Sequence, residues 1–128
     1  MKTLLSLRHA KSSWSDATVD DRDRDLNARG RRDAVRMGEL IRQNQLSPDV
    51  IISSDALRAR LTAEAVADVI GFQEEIALDR RLYLASPADI VAVIRTAAGA
   101  ATTVMIVGHN PGLEQLVERL TGEPNDLP

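Results

Sequence analysis

The sequence predicts a single α/β domain built on a parallel β-sheet. Apolar runs of strand length, at residues 4–7, 50–52 and 103–107, alternate with longer segments whose apolar side chains recur at helical spacing. Near-continuous apolar runs are typical of strands that are buried on both faces, as strands are in parallel sheets. The chain has 128 residues, which is the length of one domain with a modest core.

The first predicted strand, residues 4–7, is followed directly by Arg8 and His9. In a parallel sheet, both residues leave the strand at its carboxyl end, which is the edge where α/β proteins bind ligands. The next segment, residues 10–25, is polar and has no helical or strand period. We therefore expect a long loop that leaves the suspected site. Trp14 either packs this loop down, which is the favoured interpretation, or lies exposed at the rim of a pocket.

Three aspartates in this loop, Asp21, Asp23 and Asp25, imitate the first ligands of a calcium-binding loop. The pattern fails because Leu26 stands where the loop needs glycine and Arg32 stands where it needs a bidentate glutamate. We interpret the segment as a solvated loop in which interleaved arginines neutralise the aspartates.

The first helix is expected to begin after Asn27, which is a suitable N-cap, and to end before residues 47–48. The second strand, residues 50–52, is followed by a second helix that ends at Gly71. Residues 53–55 supply the candidates for the N-cap of this second helix.

Arg58 lies in the first turn of the second helix, just after the carboxyl end of a predicted strand. Free backbone N–H groups and the helix dipole favour an anion at this position, and a guanidinium can add two parallel hydrogen bonds to phosphate or carboxylate oxygens. Arg58 is therefore a candidate anion-binding residue. Arg60, two positions further along, is expected to be an ordinary solvated arginine.

The next segment predicts weaker elements and then a third helix. Residues 72–78 contain at most a short edge strand, and residues 79–84 contain one or two helical turns. A capping-box pattern begins at Ser86, with proline at the first helical position, and the helix is expected to stop near Gly99.

The last predicted strand, residues 103–107, leads through Gly108 to His109, and a helix follows from Pro111. His109 and His9 are the two histidines of the chain, and each follows a predicted strand. A lone histidine at such a position is most often structural. The matching positions of the two favour a shared site.

The composition is that of an ordinary globular protein and argues against several classes. Hydrophobic residues make up 44% of the chain and aromatic residues only 2%, so the core must be aliphatic. A net charge of −3 argues against a nucleic-acid partner. No run is long enough for a membrane span or a signal peptide, so we expect no membrane partner and a cytoplasmic location. With two histidines and no cysteine, neither a metal nor another cofactor is expected.

Three predicted strand ends would bring Arg8 and His9, residues 53–54 with Arg58, and His109 to one pocket. Two guanidinium groups beside helix N-termini suit a tetrahedral dianion, so we expect a phosphate or sulfate ion there. A neutral imidazole can also attack phosphorus and hold the phosphoryl group covalently. His9 is favoured as this nucleophile because Arg8 is adjacent, and His109 is better placed as a hydrogen-bond donor.

These motifs resemble those of the histidine phosphatase superfamily, which is also called phosphoglycerate-mutase-like. Within this superfamily, they are similar to those of the short SixA-type phosphohistidine phosphatases. The matching motifs are at residues 7–11, 25–30, 53–63 and 108–112. The resemblance implies a three-layer α/β/α sandwich with a mostly parallel central sheet. It also implies metal-independent removal of phosphate from protein histidines through a phosphorylated His9, with Arg8, Arg58 and His109 holding the phosphoryl oxygens.

Some residues depart from the pattern of the wider superfamily. Ala10 replaces the glycine that commonly follows the Arg-His pair, which points to the short branch, and Leu61 stands where many relatives have glutamine. The chain stops near Pro128, where such relatives usually add further strands. Residues 1–128 are therefore expected to form one domain, either whole or truncated at its C-terminus with a sheet edge that is unpaired or covered by a partner.

Many superfamily members use a carboxylate as the acid for the leaving group. Leu84 lies in the stretch where we would look for it and cannot serve, whereas Asp16, Asp20 and Asp21 on the long loop remain candidates. The absence of such an acid is also compatible with a leaving group that needs little protonation as it departs. Imidazole fits this description better than an alkoxide does.

Three functions stay open from the sequence. The first is a phosphatase for phosphohistidine in proteins, the second is a phosphatase for small phosphomonoesters, and the third is a non-catalytic phosphate-binding module. The chain has no insertion large enough for a lid, which favours an open site that faces a phosphorylated protein. An intact His9 disfavours the non-catalytic module.

Overall fold

The computed structural model describes residues 3–9 and 20–121. Four strands form one sheet in the order β1-β4-β2-β3, and every neighbouring pair is parallel. The strands are β1 (Thr3–Arg8), β2 (Val50–Ser53), β3 (Ala77–Leu78) and β4 (Thr103–Gly108). The helices are α1 (Ala28–Gln43), α2 (Leu57–Ile70), α3 (Pro87–Ala97) and α4 (Gly112–Thr121). The parallel sheet that the apolar runs predict is confirmed.

The helices cover both faces of the sheet, so the fold is the three-layer sandwich that the resemblance implies. Alternate residues of the two central strands point to opposite faces, as the twofold period of a strand requires. On one face, Ile52, Val104 and Ile106 pack with side chains of α3 and α4. On the other face, Ile51, Met105 and Val107 pack with α1 and α2. Both faces of the central strands are buried, which explains their continuous apolar sequences.

Local sequence explains most helix ends. The side chain of Asn27 accepts a hydrogen bond from the backbone N–H of Gly30 and caps α1. Ser86 and Asp89 form the predicted capping box of α3. Gly71 ends α2 with a φ of 72°, a left-handed conformation that glycine adopts at little cost.

The predicted cap of α2 is wrong. The N-cap residue is Ala56, which has no side chain to cap with, rather than one of residues 53–55. The hydroxyl of Ser54 does accept a hydrogen bond from the N–H of Ala56 at 3.2 Å, but Ser54 lies two residues before the helix cap. Ser54 also contacts His109, and this second contact could not be read from the helix pattern.

The segment before α1 is more ordered than a solvated loop. Asp21–Asp23 form a short 3₁₀ helix, and the side chain of Arg24 is buried. Asp25 accepts hydrogen bonds from Arg31 on α1. Arg24 pairs with Asp21 at 3.2 Å, as the interleaved sequence predicts. Arginines elsewhere in the fold also pair with Asp21 and Asp25, which the sequence did not predict. The predicted positions of Trp14 and Asp16 lie outside the described residues.

A second 3₁₀ helix, Arg80–Leu82, follows the short edge strand β3, as the sequence predicts. The N-terminus of α4 packs closely against the chain that follows this turn. A Cβ atom on Gly112 would lie 2.1 Å from the carbonyl oxygen of Ala85, so only glycine fits there. Among the helices of the described residues, none is long and apolar enough to cross a membrane.

Candidate active site

Backbone hydrogen bonds hold the ends of three adjacent strands in line. The N–H of His9, just after β1, donates to the carbonyl of Gly108 at 3.0 Å. The N–H of Ser54, just after β2, donates to the carbonyl of Val107 at 2.9 Å. Because β4 lies between β1 and β2, the residues that follow these strands reach the same edge of the sheet, as the sequence predicts.

His9 and Arg58 are in direct contact at this edge. The Nε of Arg58 donates to the Nε2 of His9 at 3.3 Å. A guanidinium can only donate hydrogen bonds, so the Nε2 of His9 must be the acceptor and must hold a free electron pair. The electron pair of this nitrogen therefore points at the guanidinium of Arg58.

Arg58 is buried, with 4% of its surface exposed, and its remaining donors bind the segment before α1. It donates to the backbone carbonyl of Asp21, and its NH2 group lies 3.0 Å from the carboxylate of the same residue. Thr62, one turn further along α2, donates its hydroxyl to the carbonyl of Arg58. The guanidinium is thus fixed between His9 and an aspartate.

His109 lies beside His9, with 5.1 Å between the ring centroids. It is 5% exposed, and its Nε2 is 2.9 Å from the hydroxyl of Ser54. Burial, followed by the electrostatic interactions with His9 and Arg58, lowers the pKa of His109 from 6.5 to about 3. The imidazole of His109 is therefore neutral at physiological pH.

Arg8 reaches the same edge but is not in contact with the other three residues. It is the last residue of β1, it pairs in register with Gly108, and its side chain is exposed. Its charge contributes to the lowered pKa of His109. Within the described part of the chain, its guanidinium has no hydrogen bond or ion pair.

The sequence analysis missed Tyr83. Its ring stands edge-on to His109, with 5.4 Å between centroids, and its hydroxyl donates to the carboxylate of Asp21. The hydrogen bond from Tyr83, with further help from Arg58, lowers the pKa of Asp21, so this carboxylate is ionised at neutral pH. Burial and the neighbouring Asp21 raise the pKa of Tyr83. One available signal was that the single tyrosine of the chain follows a predicted strand.

The candidates for the leaving-group acid lie in different parts of the chain. Asp21 binds Arg58 and Tyr83 at the site, and Asp20 lies on the wall of the neighbouring cavity. Leu84 is 70% exposed and has a left-handed backbone conformation, with a φ of 53°. Asp16 lies outside the described residues.

A cavity of about 530 Å³ opens beside this cluster. Most of its lining is acidic; the lining residues are Asp20, Asp21, Arg22, Asp23, Asp55 and Tyr83. Arg22 forms an ion pair with Asp55 across this wall. The described residues contain no group of three or more histidine, cysteine or acidic side chains that could hold a metal ion.

Comparison with known proteins identifies the family. Residues 4–83 match the histidine phosphatase superfamily, branch 1. The structure of the proposed phosphohistidine phosphatase SixA from Agrobacterium tumefaciens is 32% identical in sequence, with a TM-score of 0.84 over 94% of this chain and 77% of that chain. The protein histidine phosphatase SixA in complex with tungstate is 21% identical and has the same fold, with a TM-score of 0.87 over 98% of this chain and 81% of that chain.

An uncharacterized chloroplast protein of Arabidopsis thaliana is 32% identical over 94% of this chain, which covers 60% of that relative. The chain thus spans about three-fifths of the length of the curated relatives that it matches. The matched residues include β1, α1, β2 and α2, the elements that position His9 and Arg58. The chain belongs to branch 1 of the histidine phosphatase superfamily and is of the SixA type.

Proposed function

We propose that this protein is a phosphohistidine phosphatase that transfers the phosphoryl group from a histidine of another protein to His9 and then to water. The observation that carries the proposal is the hydrogen bond from Arg58 to the Nε2 of His9. In this contact an electron pair of an imidazole lies beside a buried cation, which supports His9 as the nucleophile and Arg58 as a group that binds the phosphoryl oxygens.

In the first step, the Nε–H of Arg58 moves from the Nε2 of His9 to a phosphoryl oxygen, which releases the electron pair of Nε2. This Nε2 attacks phosphorus and forms a P–N bond, while the P–N bond of the substrate breaks. The substrate imidazole takes the electron pair of that bond and leaves as neutral imidazole if its other nitrogen already carries a proton. In the second step, the oxygen of water attacks phosphorus, and the Nε2 of His9 recovers its electron pair. The products are inorganic phosphate and free His9.

Arg58, His109 and Arg8 are proposed to hold the three oxygens of the transferring group. Arg58 is rigidly held, so little reorganisation is needed when charge develops on these oxygens. His109 is a neutral donor, and Arg8 is an exposed cation at the same sheet edge that could close on the anion. None of these roles requires a metal ion.

The state of Asp21 bears on the nature of the leaving group. Its lowered pKa keeps it ionised, so it has no proton to give to a leaving group at neutral pH. An alkoxide leaving group needs such a proton, whereas imidazole does not. This supports phosphohistidine over a phosphomonoester as the substrate.

The acidic cavity also supports phosphohistidine as the substrate. Four of its six lining residues are aspartates, and it opens next to the proposed phosphoryl site. It would repel a small substrate with a second anionic group, such as a phosphorylated carboxylic acid. The alternative of a small phosphomonoester therefore requires a neutral or cationic leaving group.

The proposal is tested by measuring turnover of a phosphohistidine peptide, the matching phosphoserine peptide and a small phosphomonoester. We expect the phosphohistidine peptide to be hydrolysed with the highest kcat/KM. A higher kcat/KM for the small phosphomonoester would favour the alternative function. Binding of inorganic phosphate without turnover of any substrate would favour the non-catalytic module.

The nucleophile can be identified in the same assay by quenching at high pH and mapping the labelled peptide. Phosphate should be found on His9, because only its Nε2 faces Arg58 in the site described above. A phosphohistidine is labile in acid and survives alkali, unlike phosphoserine. Label on His109 would mean that His109 is the nucleophile and His9 the hydrogen-bond donor. Acid-stable label on Ser12 or Ser13, the serines that follow the Arg-His pair in the sequence, would refute histidine catalysis.

A further inference from the structure

Ser54 and His109 form a buried pair behind the proposed phosphoryl site. Ser54 is 0% exposed and His109 is 5% exposed. The hydroxyl oxygen of Ser54 lies 2.9 Å from the Nε2 of His109 and 3.2 Å from the N–H of Ala56. The direction of the first hydrogen bond decides which ring nitrogen of His109 carries the proton.

Counting donors and acceptors gives that direction. The N–H of Ala56 can only donate, so it uses an electron pair of the Ser54 oxygen and leaves the hydroxyl proton free to donate. Within the described residues, the acceptor at hydrogen-bond distance from this hydroxyl is the Nε2 of His109. If Ser54 donates to Nε2, the ring proton must be on Nδ1.

The opposite direction would leave more groups unsatisfied. If Nε2 donated to Ser54, neither the hydroxyl proton of Ser54 nor a bare Nδ1 would have a partner. The Nδ1 of His109 is buried and has no hydrogen-bond partner in the described part of the chain. When Ser54 donates, the Nδ1–H of His109 is the one unsatisfied group of the pair. The opposite direction leaves two unsatisfied groups, and each such buried group costs about 1–3 kcal/mol.

We propose that Ser54 is a positioning residue that holds His109 as the neutral Nδ1–H tautomer, so that the buried Nδ1–H is left to bind a phosphoryl oxygen. The inference rests on the proposed function, in which His109 binds the transferring group. Ser54 does not touch the substrate in this arrangement. It acts by deciding where the proton of His109 is.

The surroundings of His109 favour the neutral ring over the cation. Burial and the nearby positive charges lower its pKa to about 3. A protonated ring would carry an N–H on both nitrogens, and Ser54 would lose its acceptor. A neutral ring with a fixed tautomer provides a donor whose state does not change across physiological pH.

The chain contains a matched control for Ser54. Ser53, the preceding residue, is also 0% exposed, but its hydroxyl donates to the backbone carbonyl of Ser54 at 2.8 Å and not to His109. Ser53→Ala and Ser54→Ala each remove one buried hydroxyl from neighbouring positions. Only Ser54→Ala removes the partner of the imidazole.

The decisive measurement is the nitrogen NMR spectrum of the histidine rings in the ¹⁵N-labelled full chain. The chain has two histidines, so a His9→Ala variant assigns the signals of His109. In the unmodified protein, Nδ1 should have the shift of a protonated nitrogen and Nε2 that of an unprotonated one. Ser54→Ala should move both signals towards the other tautomer, and Ser53→Ala should leave them unchanged. A protonated Nε2 of His109 in the unmodified protein would overturn the proposal, and this result does not depend on whether Ser54→Ala folds.

Two further measurements connect the tautomer to function. Inorganic phosphate should shift the Nδ1–H signal of His109, and an unchanged signal in a phosphate-saturated protein would overturn its role as donor. Ser54→Ala should lower kcat roughly 10- to 100-fold, the range known for groups that orient functional histidines at metal sites, while Ser53→Ala stays close to the unmodified protein. If the tautomer and the phosphate shift are found but no phosphohistidine peptide is hydrolysed, the proposed reaction fails and the assignment of Ser54 stands.

Discussion

Arg58 and Arg60 lie two positions apart on α2, and their surroundings are opposite. Arg58 is 4% exposed and contacts His9 and Asp21. The side chain of Arg60 is 44% exposed and lies 3.9 Å from Glu64 on the helix surface. Residues two apart on a helix point in different directions, so only one of the pair can face the sheet edge.

We predict that Arg58→Ala lowers kcat roughly a hundred- to a thousandfold, as is known for loss of one hydrogen-bond donor in an oxyanion hole. The reason is that Arg58 is the buried cation beside the Nε2 of His9, the proposed nucleophile. Steady-state kinetics with a phosphohistidine peptide measure the effect. The thermal unfolding of the variant should be measured alongside the kinetics, because Arg58 also holds the backbone of Asp21.

Arg60→Ala is the matched control and should leave kcat and KM close to those of the unmodified protein, because an exposed ion pair contributes little. Equal losses from the two substitutions, with both variants folded, would remove Arg58 from the site.

The site residues differ in how far the sequence could predict them. Positions relative to strand ends indicated His9, Arg58 and His109, because parallel strands end at one edge. Tyr83 and the second contact of Ser54 could not be found in this way. A serine after a strand has the same local pattern whether it caps a helix or binds a histidine 55 residues away, and only the folded chain shows the difference.

At the scale of elements, the 3₁₀ helix Asp21–Asp23 and the start of α2 form one unit. Arg58 on α2 binds both the backbone and the side chain of Asp21, and Arg22 pairs with Asp55 before the helix. The carboxylate of Asp21 therefore lies on the guanidinium that the phosphoryl group is proposed to bind. A dianion that approaches Arg58 encounters this negative charge.

We predict that Asp21→Asn strengthens the binding of inorganic phosphate about fivefold. Removing one like charge at about 4 Å in a well-solvated site is worth about 1 kcal/mol. Competitive inhibition by phosphate measures the change. Asp23→Asn, in the same 3₁₀ helix, changes the net charge equally, but Asp23 is not bonded to Arg58, so its effect should be smaller. Weaker phosphate binding by Asp21→Asn would show that Asp21 orients Arg58 for the anion rather than competing with it.

The regular elements were predictable because each has its own period and end signals. Asn27, Ser86 and Gly71 are at the helix ends that their residue types predict. The 3₁₀ helix at Asp21 was not predictable, because the interactions that hold it come from Arg58 and Tyr83, which are 37 and 62 residues away. Local pattern carries no information about such partners.

At the scale of the whole molecule, the two aliphatic cores fix the sheet, and the sheet brings the ionisable groups of the site together. The continuous apolar strands indicate a sheet that is covered on both faces, but they do not give the strand order. That order places β4 between β1 and β2, and so places His109 between His9 and Ser54. Burial of His109 in this position makes the stability of the whole fold depend on pH.

The sign of this dependence follows from the lowered pKa of His109. Its pKa is about 3 in the folded protein and 6.5 as an ordinary value, so the unfolded chain binds more protons between these limits. Stability is therefore fully present above about pH 6.5 and is lost as the pH falls towards 3. The pKa values of Asp21, Asp49 and Asp79 are lowered from 3.8, so their contributions are lost at lower pH. The range from pH 6.5 to 5 thus isolates the histidines.

We predict that the free energy of unfolding falls by about 1.5 kcal/mol between pH 6.5 and 5 because of His109 alone. Urea unfolding of the unmodified protein and of His109→Gln at the two pH values measures this contribution. Glutamine does not bind a proton in this pH range, so the free energy of unfolding of the variant should not fall by this amount. If both proteins lose the same free energy, His109 is not held neutral by the fold, and the neutral donor assigned to it would have to be abandoned.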